Sequence, residues 1–119
     1  MQYTALPTTT TATIASGQSL SGSINLGLRS LLGITMPAAW TAAALSFAVS
    51  HDGVTFYPVS DQDGEVVIPA DVAVAGAAVA IDPALLAGWR FIKVRSGTAG
   101  AAVAQGASRT LLLNVREIA

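Results

Sequence analysis

Short stretches of alternating hydrophobic and polar residues recur along the chain, and this alternation is typical of β-strands that bury one face. The clearest stretch is residues 45–50, in which Leu45, Phe47 and Val49 share one face and two serines and an alanine share the other. The other predicted strands cover residues 19–26, 30–36, 54–59, 65–68, 77–81, 89–95 and 108–118. Helical periodicity never lasts longer than a turn or two, so the pattern predicts an all-β fold.

Turn-forming residues separate these stretches at intervals typical of sandwiches. We therefore predict a single-domain antiparallel β-sandwich of about eight strands with one or two short helical turns. One helical turn is expected in residues 82–88, with Asp82 as its N-cap and Gly88 at its end. A second is expected in residues 37–43, where Pro37 suits a first helical position.

The link after residue 50 contains His51-Asp52-Gly53, a combination that favours a tight hairpin because glycine supplies a positive φ. Pro58 lacks an N–H group for the sheet ladder, which places the second strand of this hairpin at an edge or a bulge. Residues 70–80 are rich in alanine and valine, and they fit a strand or an irregular segment equally well.

The length of 119 residues suits one domain. Residues 1–9 have no core pattern and are predicted to form an extended N-terminal arm, in which Tyr3 and Leu6 are the large apolar side chains. Residues 10–119 are then the β-sandwich domain.

Charged residues make up 11% of the chain, against about 25% in an average domain, and hydrophobic residues make up 52%. Either a partner normally covers part of the surface, or the surface is a neutral one of Ala, Thr, Ser and Gly. The net charge of −1 leaves no basic excess for phosphates, so no nucleic-acid partner is expected. Apolar runs fall well short of the ~20 residues of a membrane helix, so no membrane partner is expected.

Candidate chemistry is sparse. The chain has no cysteine, which excludes disulfides and thiolate metal sites and suits assembly in a reducing compartment. Its only histidine, His51, stands between a serine and an aspartate, but adjacent residues project in different directions and form no catalytic relay among themselves. We predict no enzymatic activity, no catalytic residue and no cofactor.

Three carboxylates within five residues make Asp61, Asp63 and Glu65 a weak candidate for a calcium site, since hard cations prefer oxygen ligands. The spacing matches only a fragment of an EF-hand loop, whose further ligands are missing. A hairpin turn built from aspartate and glycine explains the same residues, and we expect no metal.

Aromatic side chains at loop–strand junctions allow two interpretations. Trp40, Phe56, Tyr57 and Trp89 could form a platform on which a sugar stacks, or the two tryptophans could close the open ends of a sandwich core.

Three large apolar side chains are predicted to point away from the core. Phe91 alternates with inward-facing neighbours, Leu112 lies between inward-facing leucines, and Leu31 falls on the outer face of its strand. The arm, a loop or a neighbouring subunit could cover them. Together with Tyr3 and Leu6 of the arm, they are the predicted interface residues.

Two segments, Leu45-Ser-Phe-Ala-Val-Ser-His-Asp-Gly-Val-Thr-Phe56 and Arg90-Phe-Ile-Lys-Val-Arg-Ser-Gly97, resemble strands of the discoidin (coagulation-factor C-type) jelly roll. The resemblance covers about a fifth of the chain and implies a jelly-roll-like sandwich and, as an alternative function, a carbohydrate-binding module. Discoidin domains typically carry paired cysteines and longer ligand-binding loops, and this chain has neither.

A longer resemblance is carried by Ser19-Leu-Ser-Gly-Ser-Ile-Asn-Leu26, by Leu32-Gly-Ile-Thr-Met-Pro-Ala-Ala-Trp-Thr-Ala-Ala43 and by residues 45–56. These segments resemble small proteins from the structural regions of tailed phages and prophages. That resemblance implies a non-enzymatic virion protein, either a capsid decoration (cement) protein or a head–tail accessory protein. The expected partners are other capsid or tail subunits and further copies of the chain, assembled into the virion in the host cytoplasm.

Overall fold

Two antiparallel sheets form the body of the protein, and the computed structural model describes residues 6–117 of the chain. The strands are β1 (Thr8–Ile14), β2 (Ile24–Asn25), β3 (Arg29–Thr35), β4 (Leu45–Ser50), β5 (Tyr57–Pro58), β6 (Ser60–Asp61), β7 (Gly64–Glu65), β8 (Val67–Ile68), β9 (Ala78–Ala80), β10 (Phe91–Ser96) and β11 (Arg109–Glu117). Sheet 1 has the order β1-β11-β3-β9, and sheet 2 the order β2-β10-β4-β5, with β8 also paired to β4. Strands β6 and β7 form a separate small hairpin.

The connectivity is that of a jelly roll, which confirms the predicted all-β sandwich. The strands pair as nested hairpins: β4 with β5 and β8, β3 with β9, β2 with β10, and β1 with β11. Successive pairs fall alternately in sheet 2 and sheet 1, so one long antiparallel hairpin is rolled into two facing sheets.

The core lies between the two sheets and is built by the predicted alternation. In β11, Leu111, Leu113 and Val115 are fully buried, and in β4 Phe47 is the largest fully buried side chain. On β10, Ile92 and Val94 are buried, while Phe91, Lys93 and Arg95, which alternate with them, are only partly covered. Alternation therefore predicts the core face of these strands correctly, but the prediction that β4 buries only one face is wrong, because Ser46, Ala48 and Ser50 are buried as well.

Strand β3 departs from the predicted alternation. A register shift in its pairing with β11 leaves Leu32 without a partner on that strand, because Gly33 pairs with Asn114 and Leu31 pairs with Val115. One extra residue reverses the faces of the residues before it. Leu31 is consequently fully buried, and the prediction that it points outward at an interface is wrong.

Several predicted elements are shorter than expected. The stretch 19–26 forms only β2 and an isolated bridge between Leu20 and Arg95. Residues 51–56 form a wide loop instead of a tight hairpin turn, and β5 contains only two residues. Pro58 lies in that edge strand, as predicted.

Of the two predicted helical turns, one is present and one is absent. Residues 83–85 form a 3-10 helix in which the Asp82 carboxylate accepts a hydrogen bond from Ala84 N at 3.0 Å, so the N-cap prediction is confirmed. Residues 37–43 contain bends and no helical turn. Residues 70–77 are irregular, and the chain re-enters sheet 1 at β9.

The predicted N-terminal arm, residues 1–9, extends into sheet 1. Its last two residues, Thr8 and Thr9, pair with Val115 and Asn114 of β11 and form the start of β1. Leu6 and Pro7 precede the strand, and residues 1–5 lie outside the described part of the chain. Within residues 6–117 no helix is long and apolar enough to cross a lipid bilayer.

Candidate functional site

The three carboxylates considered for calcium do not converge. The Asp61 Oδ1 atom accepts a hydrogen bond from Asp63 N at 2.8 Å, which stabilises the turn between β6 and β7, and both side chains are exposed. Glu65 accepts from Ala99 N at 3.0 Å and lies 3.5 Å from Arg95 Nη1. Among residues 6–117 no three metal-ligating side chains cluster, and the turn between β6 and β7 accounts for the hydrogen bond that Asp61 accepts.

The loop around His51 is organised by its neighbours. Asp52 Oδ1 accepts hydrogen bonds from Val54 N at 2.9 Å, Thr55 N at 3.1 Å and Ser50 Oγ at 2.8 Å. These hydrogen bonds, of which the one from Val54 has the largest effect, lower the pKa of Asp52 from 3.8 to about 2. The Ser50 hydroxyl is therefore engaged in a hydrogen bond within the loop, and the His51 side chain is exposed.

Replacing Asp52 by alanine is expected to lower the melting temperature by a few degrees at pH 7. Because its pKa is lower in the folded than in the unfolded chain, Asp52 stabilises the fold above pH ~4 and loses this effect as the pH falls towards its folded pKa of about 2. The difference in melting temperature between wild type and Asp52→Ala should therefore become smaller as the pH is lowered from 4 to 2. Asp71→Ala, at another exposed aspartate, is the control, and an equal loss in both variants would contradict the prediction.

The four aromatic side chains proposed as a sugar platform are not brought together. Leu45 pairs with Ser96 and Ser50 with Phe91, so the segment before β4 and the segment before β10 lie at opposite ends of sheet 2. Trp40 belongs to the first segment and Trp89 to the second, and both are partly buried against the core. This supports the interpretation that the tryptophans close the ends of the core.

Residues 52–66 cover much of the outer face of sheet 2. The Phe56 ring lies 4.4 Å from Lys93 Nζ, and Glu65 pairs with Arg95. Phe91 points outward as predicted, but it is half-buried, and a side chain added at Gly53 would lie 3.2 Å from its ring. The outward side chains of β10 are therefore engaged by the chain itself.

The outer face of sheet 1 is different, because uncharged side chains, most of them small, form two rows across all four strands. Opposed residues of antiparallel strands project to the same face, so the pairing defines each row. The first row is Thr11, Leu112, Thr35 and Ala78. The second row is Thr9, Asn114, Gly33 and Ala80. We call these two rows the docking face.

An apolar groove of about 320 Å³ opens on the docking face. It is lined by Pro7, Leu32, Gly33, Ala78, Val79, Ala80 and Asn114. The groove depends on Gly33, where an added Cβ would lie 3.0 Å from Val79 O and 3.6 Å from the Asn114 amide nitrogen. The unpaired Leu32 of the bulge forms another part of its wall.

The docking face lacks the groups that chemistry or charged ligands require. Its polar side chains are threonine hydroxyls and the Asn114 amide, and it holds no carboxylate, imidazole or cation. Arg116 is the next outward residue along β11, at the end of the strand. Leu112, 41% exposed, is the largest apolar side chain in the two rows. Such a surface suits contact with another macromolecule through shape and apolar area.

The structure places the five predicted interface residues in different parts of the molecule. Leu112 lies on the docking face, and Leu6 is 81% exposed beside Pro7 of the groove. Phe91 lies on the opposite, covered face, Leu31 is in the core, and Tyr3 is outside the described residues. The structure thus places two of the five near the groove.

Two highly exposed apolar side chains, Leu28 and Val54, are not predicted from the alternation of residues. Leu28 is 80% and Val54 82% exposed, and each follows a glycine with positive φ. Both turns follow strands that end beside Phe91, so they lie at the same end of sheet 2. The shared pattern of a turn glycine followed by a large aliphatic residue is the signal that would have identified them.

Comparison with known proteins yields a structural match only. No family model matches the chain, and no curated protein sequence matches it. Among solved structures, the SPBc2 prophage-derived protein YomS is similar, with a TM-score of 0.54 and 11% sequence identity over 95% of this chain and 96% of that one. At this identity the likeness shows a shared fold. The fold of this chain therefore also occurs in a prophage-derived protein.

Proposed function

We propose that this protein is a non-enzymatic structural component of a bacteriophage particle, a capsid decoration or head–tail accessory protein that binds neighbouring capsid or tail subunits. The observation that carries the proposal is the docking face, which spans four strands without a charge and contains an apolar groove. No cofactor takes part, and further copies of the chain are among the partners.

The contrast between the two outer faces supports the docking face as the contact surface. The chain covers the outer face of sheet 2 with its own residues 52–66, whereas on sheet 1 Pro7 is the one described residue from outside the sheet that borders the groove. Uncharged cores surrounded by polar residues are characteristic of protein–protein contacts. Threonine and alanine side chains also lose little conformational freedom when a partner covers them.

The fold supports a phage origin without deciding the role. A prophage-derived protein shares the architecture over nearly the whole chain. Jelly rolls, however, serve both in viral capsids and in lectins, so the fold alone does not distinguish a virion protein from the carbohydrate-binding alternative. The aromatic side chains and the discoidin resemblance motivated that alternative, and the separation of Trp40 from Trp89 weakens the first of these two supports.

Replacing Leu112 by arginine is expected to reduce association with phage particles at least ~10-fold, because a buried leucine contributes about 1.5–3 kcal/mol and the cation would have to be desolvated. Particles released from the strain that encodes the protein should be purified on a density gradient and probed with an antibody. Wild-type protein is expected in the particle fraction, and Leu112→Arg in the unbound fraction.

Val54→Arg is the matched control, since Val54 is an exposed aliphatic residue at the loop that covers sheet 2. It should remain with the particles. Ala80→Arg on the docking face should behave like Leu112→Arg without disturbing a half-buried side chain, and thermal melts should confirm that all three variants fold. Wild-type protein missing from the particles would refute the proposed function. Loss of particle association in Val54→Arg alone would show that the contact lies on sheet 2.

A further inference from the structure

In the described part of the chain, strand β1 is an edge of sheet 1, and within its seven residues it has none of the usual protection against pairing, although Pro7 directly precedes it. Natural edges are blunted by short strands, prolines, charges or bulges. Strand β1 instead has seven residues, Thr-Thr-Thr-Thr-Ala-Thr-Ile, and pairs with β11 in an unbroken register. In the described part of the chain, no backbone hydrogen bond joins its other edge.

The remaining sheet edges are protected. The opposite edge of sheet 1, β9, has three residues, and in sheet 2 the edge strands β2, β5 and β8 have two residues each. Pro58 lies within β5. Protection at three edges and its absence at the fourth make β1 the edge available for strand addition.

From these features we infer that β1 pairs with β1 of a second copy of this chain, which joins two copies of sheet 1 into one eight-stranded sheet. This inference deepens the proposed function, on which it rests for its biological setting. A second copy fits because no charged residue precedes Arg29 in the sequence, so two β1 segments approach each other without repulsion. A partner segment rich in charges of one sign would find no opposite charge on β1.

The sequence of β1 is self-complementary in an antiparallel two-fold pairing centred on Thr11. Thr9 then opposes Thr13, Thr10 opposes Ala12 and Thr8 opposes Ile14, so all seven residues pair and both faces continue across the junction. Thr9, Thr11 and Thr13 are exposed on the outer face and would form cross-strand threonine pairs. Other centres that preserve the faces pair fewer residues.

The extent of the edge also suits a dimer. Seven residues at about 3.4 Å each span about 24 Å, which is close to the shorter dimensions of the molecule, 28 and 26 Å. Pairing would therefore join the copies along nearly a full side. It would also align the two docking faces into one surface twice as wide.

Charge substitutions at the two-fold centre test the pairing directly. Thr11→Lys places two lysines opposite each other, and Thr11→Glu does the same with two glutamates, so each variant alone should raise the dimer dissociation constant about fivefold or more. An equimolar mixture of the two variants should restore the dimer, because lysine then opposes glutamate. Sedimentation velocity over a concentration series of the full chain measures all three samples.

Thr55→Lys, an exposed threonine in the loop over sheet 2, is the matched control and should remain dimeric. A monomeric wild-type protein, or single variants as dimeric as wild type, would overturn the inference, as would a mixture that stays monomeric. Particle binding is a separate readout, since Thr11 also lies on the docking face. A monomer found in particles refutes the pairing alone, and a β1-paired dimer absent from particles refutes the proposed function alone.

Discussion

Replacing Gly97 by alanine is expected to destabilise the protein by about 3 kcal/mol or more. Gly97 has a φ of +90°, a conformation that residues with a side chain rarely adopt. Its added Cβ would meet the carbonyl oxygen of Ala101 and lie 2.8 Å from Val103 N, and these backbone atoms cannot rotate away. Gly97 N also donates to Ala44 O at 2.7 Å, so any shift would disturb the junction between β4 and β10.

Chemical denaturation of Gly97→Ala and Gly22→Ala measures the effect against a matched control. Gly22 is exposed, its φ is not positive, and an added Cβ would have no neighbour within 4 Å. Its replacement should change the free energy of unfolding by less than about 0.5 kcal/mol. Equal stability of the two variants would show that the Gly97 turn rearranges freely.

Gln105→Ala is expected to destabilise the protein by about 2–4 kcal/mol, because it leaves buried polar groups unpaired. The Gln105 side chain is 1% exposed. Its Oε1 atom accepts from Thr41 N at 2.9 Å and Arg109 Nε at 3.1 Å, and its Nε2 atom donates to Thr41 O at 3.0 Å and Ser96 Oγ at 2.7 Å. One amide thus connects the β3–β4 connection to β10 and to the start of β11.

The control for this substitution is Gln18→Ala, at an exposed glutamine. Its effect on the free energy of unfolding should stay within about 0.5 kcal/mol. Denaturant midpoints of the two variants, at equal slope, provide the measurement. A loss in Gln105→Ala no larger than in Gln18→Ala would mean that water replaces the amide's four hydrogen bonds.

Alternation alone predicted the parts of the fold in which an element's own residues determine which face is buried. Strands β4, β10 and β11 were located within one or two residues, and their buried faces were identified, since a period of two leaves little choice once one face is apolar. The nested pairing, by contrast, depends on contacts between distant segments. The two-sheet architecture was predictable, but the order of strands within each sheet was beyond the pattern.

The failures share one cause, which is that a single local irregularity or side chain alters the backbone. The bulge at Leu32 buries Leu31, although the alternation of the surrounding residues places it outside. The Asp52 carboxylate, with three hydrogen bonds, holds open a loop where its Asp-Gly sequence favoured a tight turn. Neither effect leaves a trace in hydrophobic periodicity.

The candidate site was predicted only in part, for a related reason. Leu112 was identified as outward because its neighbours on β11 are regular. The groove is a property of three strands together, since it requires Gly33 of β3 to lie between Asn114 of β11 and Ala80 of β9. That juxtaposition depends on register, which the sequence of any one strand does not contain.

The pairing of β1 with β11 also determines the order in which the molecule can fold. Thr13 and Thr110, whose hydroxyls are hydrogen-bonded across these strands, are 97 residues apart. Closing so long a loop is entropically unfavourable, whereas the hairpin of β4 and β5 closes locally, so we expect folding to spread outward from that hairpin. Strand β1 then joins last, and on a growing chain it must wait, unpaired, for nearly the whole protein to be synthesised.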